Sequence, residues 1–143
     1  MKTNLTLKIN SGLIDNKGLG LTIGQDGHIL WSTDYFQEPE SKIKITVDLP
    51  ARIDFTITGR KDNDTQVNEA GEIIADRYLS LIWFEIEDKL VYTYGIDYKI
   101  LQYHGDDVDP NAPAFYWNRN GVATLVIDRP DPVLWLLDHP EVW

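Results

Sequence analysis

The sequence predicts an all-β protein, an antiparallel β-sandwich or jelly roll with a short C-terminal helical turn. Three observations support this fold class. Short segments of alternating apolar and polar residues recur along the chain, turn signals separate them about every 8–12 residues, and no long stretch has the apolar period of an amphipathic helix. A closed barrel is the alternative. Because 143 residues suffice for one core, we expect a single domain over residues 1–143.

The N-terminal third is predicted to consist of strands joined by turns. A first strand over 4–10 and a second over 19–23 place alternate apolar side chains on one face. The Asp-Gly pair at 26–27 is a tight-turn signal that joins the second strand to a third at 28–31. The polar segment 33–41 is then expected to be a surface connection.

The alternation is most regular in the middle of the chain. Apolar residues alternate with polar ones over 43–49 and again over 53–57, with Pro50-Ala51 between them. This pattern predicts a hairpin with one buried face. A long loop rich in Asp and Asn follows over 61–71, and an unusually apolar strand is predicted at 79–86.

Four more strands are predicted beyond residue 87, at 90–94, 96–103, 115–117 and 122–127. The segment 104–113 contains two prolines and several acidic residues, which disfavour a ladder. Asn120-Gly121 is a hairpin signal between the last two strands.

The end of the chain has a different pattern, typical of a short helix. Asp131-Pro132 is a suitable N-cap and first-turn pair, and Pro140 ends the helical turn predicted over 133–137.

The net charge of −10 excludes several classes of partner. Residues 1–61 hold 8 basic and 7 acidic side chains, a balance of +1, whereas residues 62–143 hold 5 and 16, a balance of −11. Clustered Lys and Arg are scarce, so nucleic acid is not expected as a partner.

No apolar run approaches the roughly 20 residues of a membrane-spanning helix, and the first residues lack a secretory signal core. The absence of cysteine excludes disulfides and thiolate chemistry.

Asp62, Asp64 and Asp76 are the candidate metal ligands. Calcium binds six to eight hard oxygen atoms, and loops at the edge of a sandwich can supply carboxylates and carbonyls. The spacing does not match an EF-hand, because with Asp62 first the sixth position is Val67 and the twelfth is Ile73. The alternative is that these residues set turn geometry. Calcium is the one ion that we consider as a candidate, and we expect no organic cofactor.

No residue pattern predicts an enzyme. Glu85 and Glu87 lie on one strand face about 7 Å apart, which is typical of solvated side chains, and no nucleophile elbow, phosphate loop or metalloprotease motif is present. His104 lies near a second group of carboxylates over 106–109, which we interpret as a solvated acidic loop.

Three aromatic residues are the candidate contacts for a ligand or an interface: Tyr116, Trp117 and Trp143. Tyr and Trp rings can stack on sugars or anchor a protein partner. Trp117 directly precedes a turn and Trp143 is the last residue, so we predict that both are exposed. The alternative is that they belong to the core.

The segment Thr58–Arg77 resembles a pattern of small β-sandwich proteins in tailed-phage virions. The shared features are a Gly, an Asp-Thr pair, a later Gly and an Asp-Arg pair before a strand, and residues 116–121 and 135–137 are also similar to that group. The resemblance implies capsid decoration, a head fibre or a tail component. It also implies location in the virion after synthesis in the host cytoplasm, and contacts with other virion proteins or with further copies of itself.

The chain is more loosely similar to calcium-dependent carbohydrate-binding modules through Asp62, Asp64 and Asp76. This resemblance implies a glycan as the ligand and calcium at the loop 61–76. The sequence therefore leaves two functional hypotheses, a virion structural protein and a carbohydrate-binding module, and both are non-enzymatic.

Overall fold

Twelve strands and two short helices follow one another in the computed structural model, which describes residues 1–143. The strands are β1 (Lys2–Ser11), β2 (Gly20–Gln25), β3 (His28–Thr33), β4 (Glu40–Asp48), β5 (Ala51–Thr58), β6 (Thr65–Val67), β7 (Ile73–Asp76), β8 (Leu79–Ile86), β9 (Lys89–Tyr92), β10 (Leu101–His104), β11 (Tyr116–Trp117) and β12 (Gly121–Ile127). The α-helix α1 covers Pro132–Asp138, and a single 3₁₀ turn covers Pro140–Val142.

Ten of these strands form two antiparallel five-stranded sheets. The first sheet has the order β11-β8-β1-β4, and β9 also pairs with β8. The second sheet has the order β10-β12-β5-β2-β3, and β6 and β7 form a separate two-stranded ribbon. The predicted all-β sandwich with a short C-terminal helix is therefore confirmed.

The core lies between the two sheets and follows the alternation in the sequence. Leu5, Leu7 and Ile9 of β1 are fully buried, as are Ile53 and Phe55 of β5, and all five belong to one cluster of 30 buried residues. Fully burying one such side chain contributes about 1.5–3 kcal/mol. The inward side chains of both sheets thus supply the apolar burial that stabilises the fold.

The hairpin predicted over 43–57 is wrong in its pairing. β4 pairs with β1, from Lys2 opposite Asp48 to Asn10 opposite Glu40, whereas β5 pairs with β2 and β12 in the other sheet. The link Leu49-Pro50 therefore carries the chain from one sheet to the other. Both strands bury alternate residues in the same core, so the alternation alone could not distinguish a hairpin from a crossing between sheets.

The hairpin predicted at Asn120-Gly121 is wrong for the same reason. β11 pairs with β8 in the first sheet, and β12 pairs with β5 and β10 in the second. Gly121 is required by close packing, because a Cβ atom there would lie 2.3 Å from the carbonyl oxygen of His104.

The turn predicted at Asp26-Gly27 is confirmed, and a second tight turn follows β8. Asp26 and Gly27 have φ of 52° and 80° and join the paired strands β2 and β3. Glu87 and Asp88 also adopt left-handed φ, 50° and 62°, and join β8 to β9. Positive φ at both central residues is the geometry that suits the twist of a tight hairpin. Of the strand predicted at 96–103, only residues 101–103 are in a strand, as part of β10.

The C-terminal helix begins as predicted. The side chain of Asp131 accepts a hydrogen bond from the backbone N–H of Val133 at 2.9 Å, and Pro132 occupies the first turn. Trp135 on this helix is fully buried and packs against Phe84, with ring centroids 6.0 Å apart. Neither helix has the length and apolar character needed to cross a lipid bilayer.

Candidate functional site

An open groove lies between the end of β9 and the C-terminal segment. Its volume is about 660 Å³, within the usual range of ligand sites. Three aromatic rings line it, those of Tyr92, Tyr94 and Trp143, together with the carboxylates of Asp97 and Glu141. Tyr94 is the most exposed of the rings, with 86% of its surface accessible to solvent. We refer to this feature as the aromatic groove.

The β9 side of the aromatic groove is positioned by hydrogen bonds to β8. Tyr92 is opposite Trp83 in the antiparallel pair, and its neighbour Val91 is buried, so alternation directs Tyr92 away from the core. The buried Thr93 donates its hydroxyl proton to the carbonyl oxygen of Leu81 and its backbone N–H to that of Ile82. These bonds hold the end of β9 and thereby fix where Tyr94 leaves the sheet.

The other side of the aromatic groove is positioned by the end of the chain. The indole N–H of Trp143 donates to the carbonyl oxygen of Leu136 at 2.8 Å, and the ammonium of Lys89 lies 5.4 Å from the centroid of its ring. Trp143 is 43% exposed. The terminal tryptophan therefore docks on its own domain and still presents part of its ring to solvent.

Both carboxylates of the groove retain an oxygen atom without an intramolecular partner. One oxygen of Asp97 accepts from the backbone N–H of Lys99 at 2.8 Å. One oxygen of Glu141 lies 3.5 Å from His139 Nδ1. Because a carboxylate has two oxygens and several acceptor sites, each can accept further hydrogen bonds from a ligand.

This arrangement suits a ligand with both apolar faces and hydroxyl groups. Exposed Tyr and Trp rings provide flat apolar surfaces, and their polar ends tolerate water. Carboxylate oxygens accept strong hydrogen bonds from hydroxyl donors. A sugar ring has C–H groups on its faces and hydroxyls at its rim, so the groove offers a partner to both parts.

The predicted metal ligands Asp64 and Asp76 form two ion pairs instead. A carboxylate oxygen of the buried Asp64 lies 2.7 Å from Arg77 Nη1, and its other oxygen accepts from the backbone N–H of Lys61 at 2.8 Å. Asp76 lies 2.8 Å from Arg60 Nη1 and accepts from the hydroxyl of Thr65, also at 2.8 Å. These four charged side chains hold the segment that contains β6 and β7 against the sandwich.

The residues of this segment do not fit a calcium ion. Asp62 is exposed and lines a separate polar depression with Arg60 and Lys61, so the three aspartates do not converge. No group of three or more His, Cys, Asp or Glu side chains in the structure has the geometry of a metal site. Because Asp64 and Asp76 each neutralise a guanidinium, the predicted set of Asp62, Asp64 and Asp76 is corrected to two arginine–aspartate pairs and one exposed carboxylate.

The prediction that Trp117 is exposed is wrong. Its ring is fully buried and packs on Phe55 at a centroid distance of 5.2 Å, and its indole N–H donates to the carbonyl oxygen of Ala114 at 2.7 Å. Trp117 therefore cannot contact a ligand in this structure. Its position before a turn did not predict exposure, because residues 118–120 link the first sheet to the second and Trp117 itself faces the core between them.

Tyr116 is half-buried beside the ion pairs. Its ring stacks on Tyr78 at 5.0 Å, and its hydroxyl donates to the second carboxylate oxygen of Asp76 at 3.4 Å. Burial, followed by the negative charge of Asp76, raises the pKa of Tyr116 from 10.0 to about 12. Tyr116 thus contributes to the ion-pair segment and does not line the aromatic groove.

Ionisation of Tyr116 gives a first testable prediction. The folded state holds this proton more tightly than the unfolded state, so its contribution to stability is complete below pH 10 and is lost as the pH rises towards about 12. The difference in phenolate absorbance between the wild type and Tyr116→Phe should titrate with a midpoint near 12. A midpoint near 10 would show that neither burial nor Asp76 acts on this hydroxyl.

Sequence reasoning did not single out Tyr92 and Tyr94. Both occur in an alternating segment, where one face of a strand is ordinarily buried. Tyr92 and Tyr94 both lie on the exposed side of that alternation, whereas Val91 and Thr93 are buried, and β9 ends before Tyr94. The sequence signal that could have identified Tyr94 was its position directly before Gly95. This glycine has a φ of 75° and ends the extended backbone.

Comparison with known proteins identifies similar folds only. No protein-family model and no curated protein sequence matches the chain. Among solved structures, the selenomethionine form of vCBM60, from work on two families of calcium-dependent carbohydrate-binding modules, matches with a TM-score of 0.56. The identity is 7%, over 87% of this chain and 90% of that one. The complex of vCBM60 with galactobiose matches with a TM-score of 0.53 and 8% identity, over 86% and 97% of the two chains.

At this level of identity the similarity establishes a shared β-sandwich fold. The matched structures are carbohydrate-binding modules, which agrees with the looser of the two resemblances in the sequence. Neither is a virion protein. The virion role, the virion location and the contacts with other subunits remain predictions.

Proposed function

We propose that this chain is a non-catalytic carbohydrate-binding module that binds its glycan in the aromatic groove. The observation that carries the proposal is the convergence of three solvent-accessible rings, Tyr92, Tyr94 and Trp143, with the carboxylates of Asp97 and Glu141. Rings and carboxylates together offer a sugar both a stacking surface and hydrogen-bond acceptors.

Exposure of the rings supports a binding role. Tyr92 is half exposed and Tyr94 almost fully exposed, although nearby apolar side chains pack into the sandwich. Leaving this apolar surface in water forgoes the favourable free energy of burial. A ligand that covers the rings recovers that energy, which is why clustered exposed aromatics are typical of binding sites.

The fold supports the same proposal by analogy. vCBM60 is described as bound to galactobiose, and its backbone resembles this one over most of both chains. A shared sandwich does not transfer a binding site between proteins. The assignment to this chain therefore depends on the groove, and the comparison supports only the class of ligand.

We assign no glycan contact to a calcium ion. In the segment that the sequence suggested for calcium, Asp64 and Asp76 are paired with Arg77 and Arg60. Because these two carboxylates bind arginines, they do not bind an ion together with Asp62. Glycan binding in this chain is accordingly assigned to ring stacking and to the carboxylates of the groove.

Replacing Tyr94 with alanine tests the proposal. Loss of this ring should weaken binding to the best ligand from a panel of soluble polysaccharides at least tenfold, about 1.4 kcal/mol, as measured by isothermal titration calorimetry. Removing a central aromatic contact from an interface commonly has an effect above about 1 kcal/mol. The folding stability should change little, because the side chain is almost entirely in solvent.

Tyr98→Ala is the matched control. Tyr98 is also an exposed tyrosine and lies four positions further along the chain, but it does not line the groove. Its replacement should leave glycan affinity unchanged. Equal affinities for the wild type, Tyr94→Ala and Tyr98→Ala would place the binding site elsewhere, and no binding to any glycan would refute the proposed function.

A further inference from the structure

A row of four side chains crosses the outer face of the first sheet and leads to the aromatic groove. Strand register places Lys42 of β4 opposite Lys8 of β1, Lys8 opposite Trp83 of β8, and Trp83 opposite Tyr92 of β9. Leu7, Ile43 and Phe84, which alternate with this row, are buried in the core. The row therefore lies on the solvent side. With strands about 4.8 Å apart, it spans roughly 14 Å.

The side chains of Lys42 and Trp83 approach each other across β1. Lys42 Nζ is 5.7 Å from the centroid of the Trp83 ring, although their strands are two spacings apart. Between them, the side chain of Lys8 is only 17% exposed and forms an ion pair with Glu40 at 3.2 Å. Trp83 itself is partly accessible to solvent.

This surface is continuous with the groove. Tyr92 belongs to both, since it is the direct neighbour of Trp83 across the strand pair and also lines the groove. Directly opposed residues have Cβ atoms about 4.5–5.5 Å apart. A ligand that contacts Tyr92 in the groove and continues across the sheet reaches the ring of Trp83 next.

The far end of the row supplies hydrogen-bond donors. Lys42 is exposed and forms no ion pair in the structure, so its ammonium is held by the ring of Trp83 alone. An ammonium has three donors and no acceptor. This complements the groove, where Asp97 and Glu141 supply acceptors only. Sugar hydroxyls can therefore accept hydrogen bonds from Lys42 at one end of the surface and donate them to Asp97 and Glu141 at the other.

We propose that the glycan site extends from the aromatic groove across the first sheet to Trp83 and Lys42, so that the ligand is an extended chain longer than a disaccharide. This inference rests on the proposed function. It assigns Trp83 and Lys42 to a second subsite, and it distinguishes recognition of a chain from recognition of a terminal sugar.

The test is the dependence of affinity on chain length. Linear β-1,4-linked xylo-, cello- and galacto-oligosaccharides of two to six units are titrated calorimetrically into the wild type, Trp83→Ala, Lys42→Ala and Lys44→Ala. For the wild type, affinity should rise at least tenfold from the disaccharide to the hexasaccharide of the series that binds. Trp83→Ala should abolish this rise, so that disaccharide and hexasaccharide bind with similar affinity.

Lys42→Ala keeps the test independent of folding, because Lys42 is exposed whereas Trp83 is partly buried. It should lower hexasaccharide affinity two- to threefold. Lys44 is also exposed on the outer face of β4, opposite Thr6 in the adjacent row, and Lys44→Ala should have no effect.

Two results would overturn the inference in distinguishable ways. If disaccharide and hexasaccharide bind equally and both are weakened by Tyr94→Ala, the extension is refuted and the groove remains the site. If no oligosaccharide of these series and no polysaccharide of the panel binds the wild type, the proposed function fails and the extension fails with it.

Discussion

Replacing Asp64 with alanine is expected to lower the free energy of unfolding by about 3 kcal/mol. Removing one partner of a buried ion pair commonly destabilises a protein by about 3–5 kcal/mol, because the other charge remains without compensation. Asp64 is 1% exposed. The lower end of the range applies because 19% of its partner, the side chain of Arg77, is in contact with solvent.

The structural consequence of losing Asp64 extends beyond one bond. Arg77 also donates to the carbonyl oxygens of Ile14 and Lys17, at 2.8 and 2.9 Å. Asp64 accepts from the N–H of Lys61 as well. The pair thus joins the turn after β1, the loop before β6 and the end of β7. Urea denaturation measures the loss, as a shift in midpoint at constant slope.

Asp62→Ala is the control in the same loop. Asp62 is exposed and makes no hydrogen bond or ion pair within the chain, so its replacement should change stability by less than about 0.5 kcal/mol. Equal, small effects of both substitutions would contradict the structural role of the Asp64–Arg77 pair.

A chelator separates this explanation from calcium binding. If arginine holds Asp64, EDTA should change neither the thermal midpoint of the wild type nor its glycan affinity. A fall in midpoint on chelation, reversed by added calcium and absent in Asp64→Ala, would instead identify Asp64 as a calcium ligand.

Replacing Trp117 with alanine should produce the largest loss of stability, about 3–5 kcal/mol, which is the usual range for deleting a buried aromatic side chain. The indole is fully buried, packs on Phe55 and donates to the carbonyl oxygen of Ala114. Removal leaves a cavity between the sheets and an unpaired carbonyl. Thermal and urea denaturation should both report the change.

Trp143→Ala is the comparison for Trp117. Trp143 is 43% exposed and makes one hydrogen bond, to Leu136, so its loss should affect stability far less. The pair of variants should show opposite profiles, with Trp143→Ala weakening glycan binding and Trp117→Ala weakening the fold. Equal stability losses would show that exposure does not separate the roles of the two tryptophans.

The sequence predicted burial along strands well and strand partners poorly. Alternation identified the inward faces of β1, β4 and β5, because residues two apart in a strand lie on the same side. It could not show that β4 and β5 belong to different sheets. Both strands face one core, and a link of two residues serves equally for a turn or for a crossing.

Local signals were reliable where a single backbone conformation decides the outcome. The turn at Asp26-Gly27 and the helix start at Asp131 formed as predicted, since positive φ and an N-cap depend on neighbouring residues only. The hairpin predicted at Asn120-Gly121 did not form, because its two flanking strands belong to different sheets, and Gly121 serves instead for the close approach to the His104 carbonyl.

By itself the sequence determined the fold class, the inward faces of the long strands and the C-terminal helix, all of which follow from the periodicity of adjacent residues. Only the tertiary structure decided the candidate site. Asp64 meets Arg77 across 13 positions and Asp76 meets Arg60 across 16, which turned predicted calcium ligands into ion pairs. Tyr92, Tyr94 and Trp143 likewise converge from two distant segments. Such contacts depend on how strands from different parts of the chain are arranged in space, and the spacing of residues does not encode that arrangement locally.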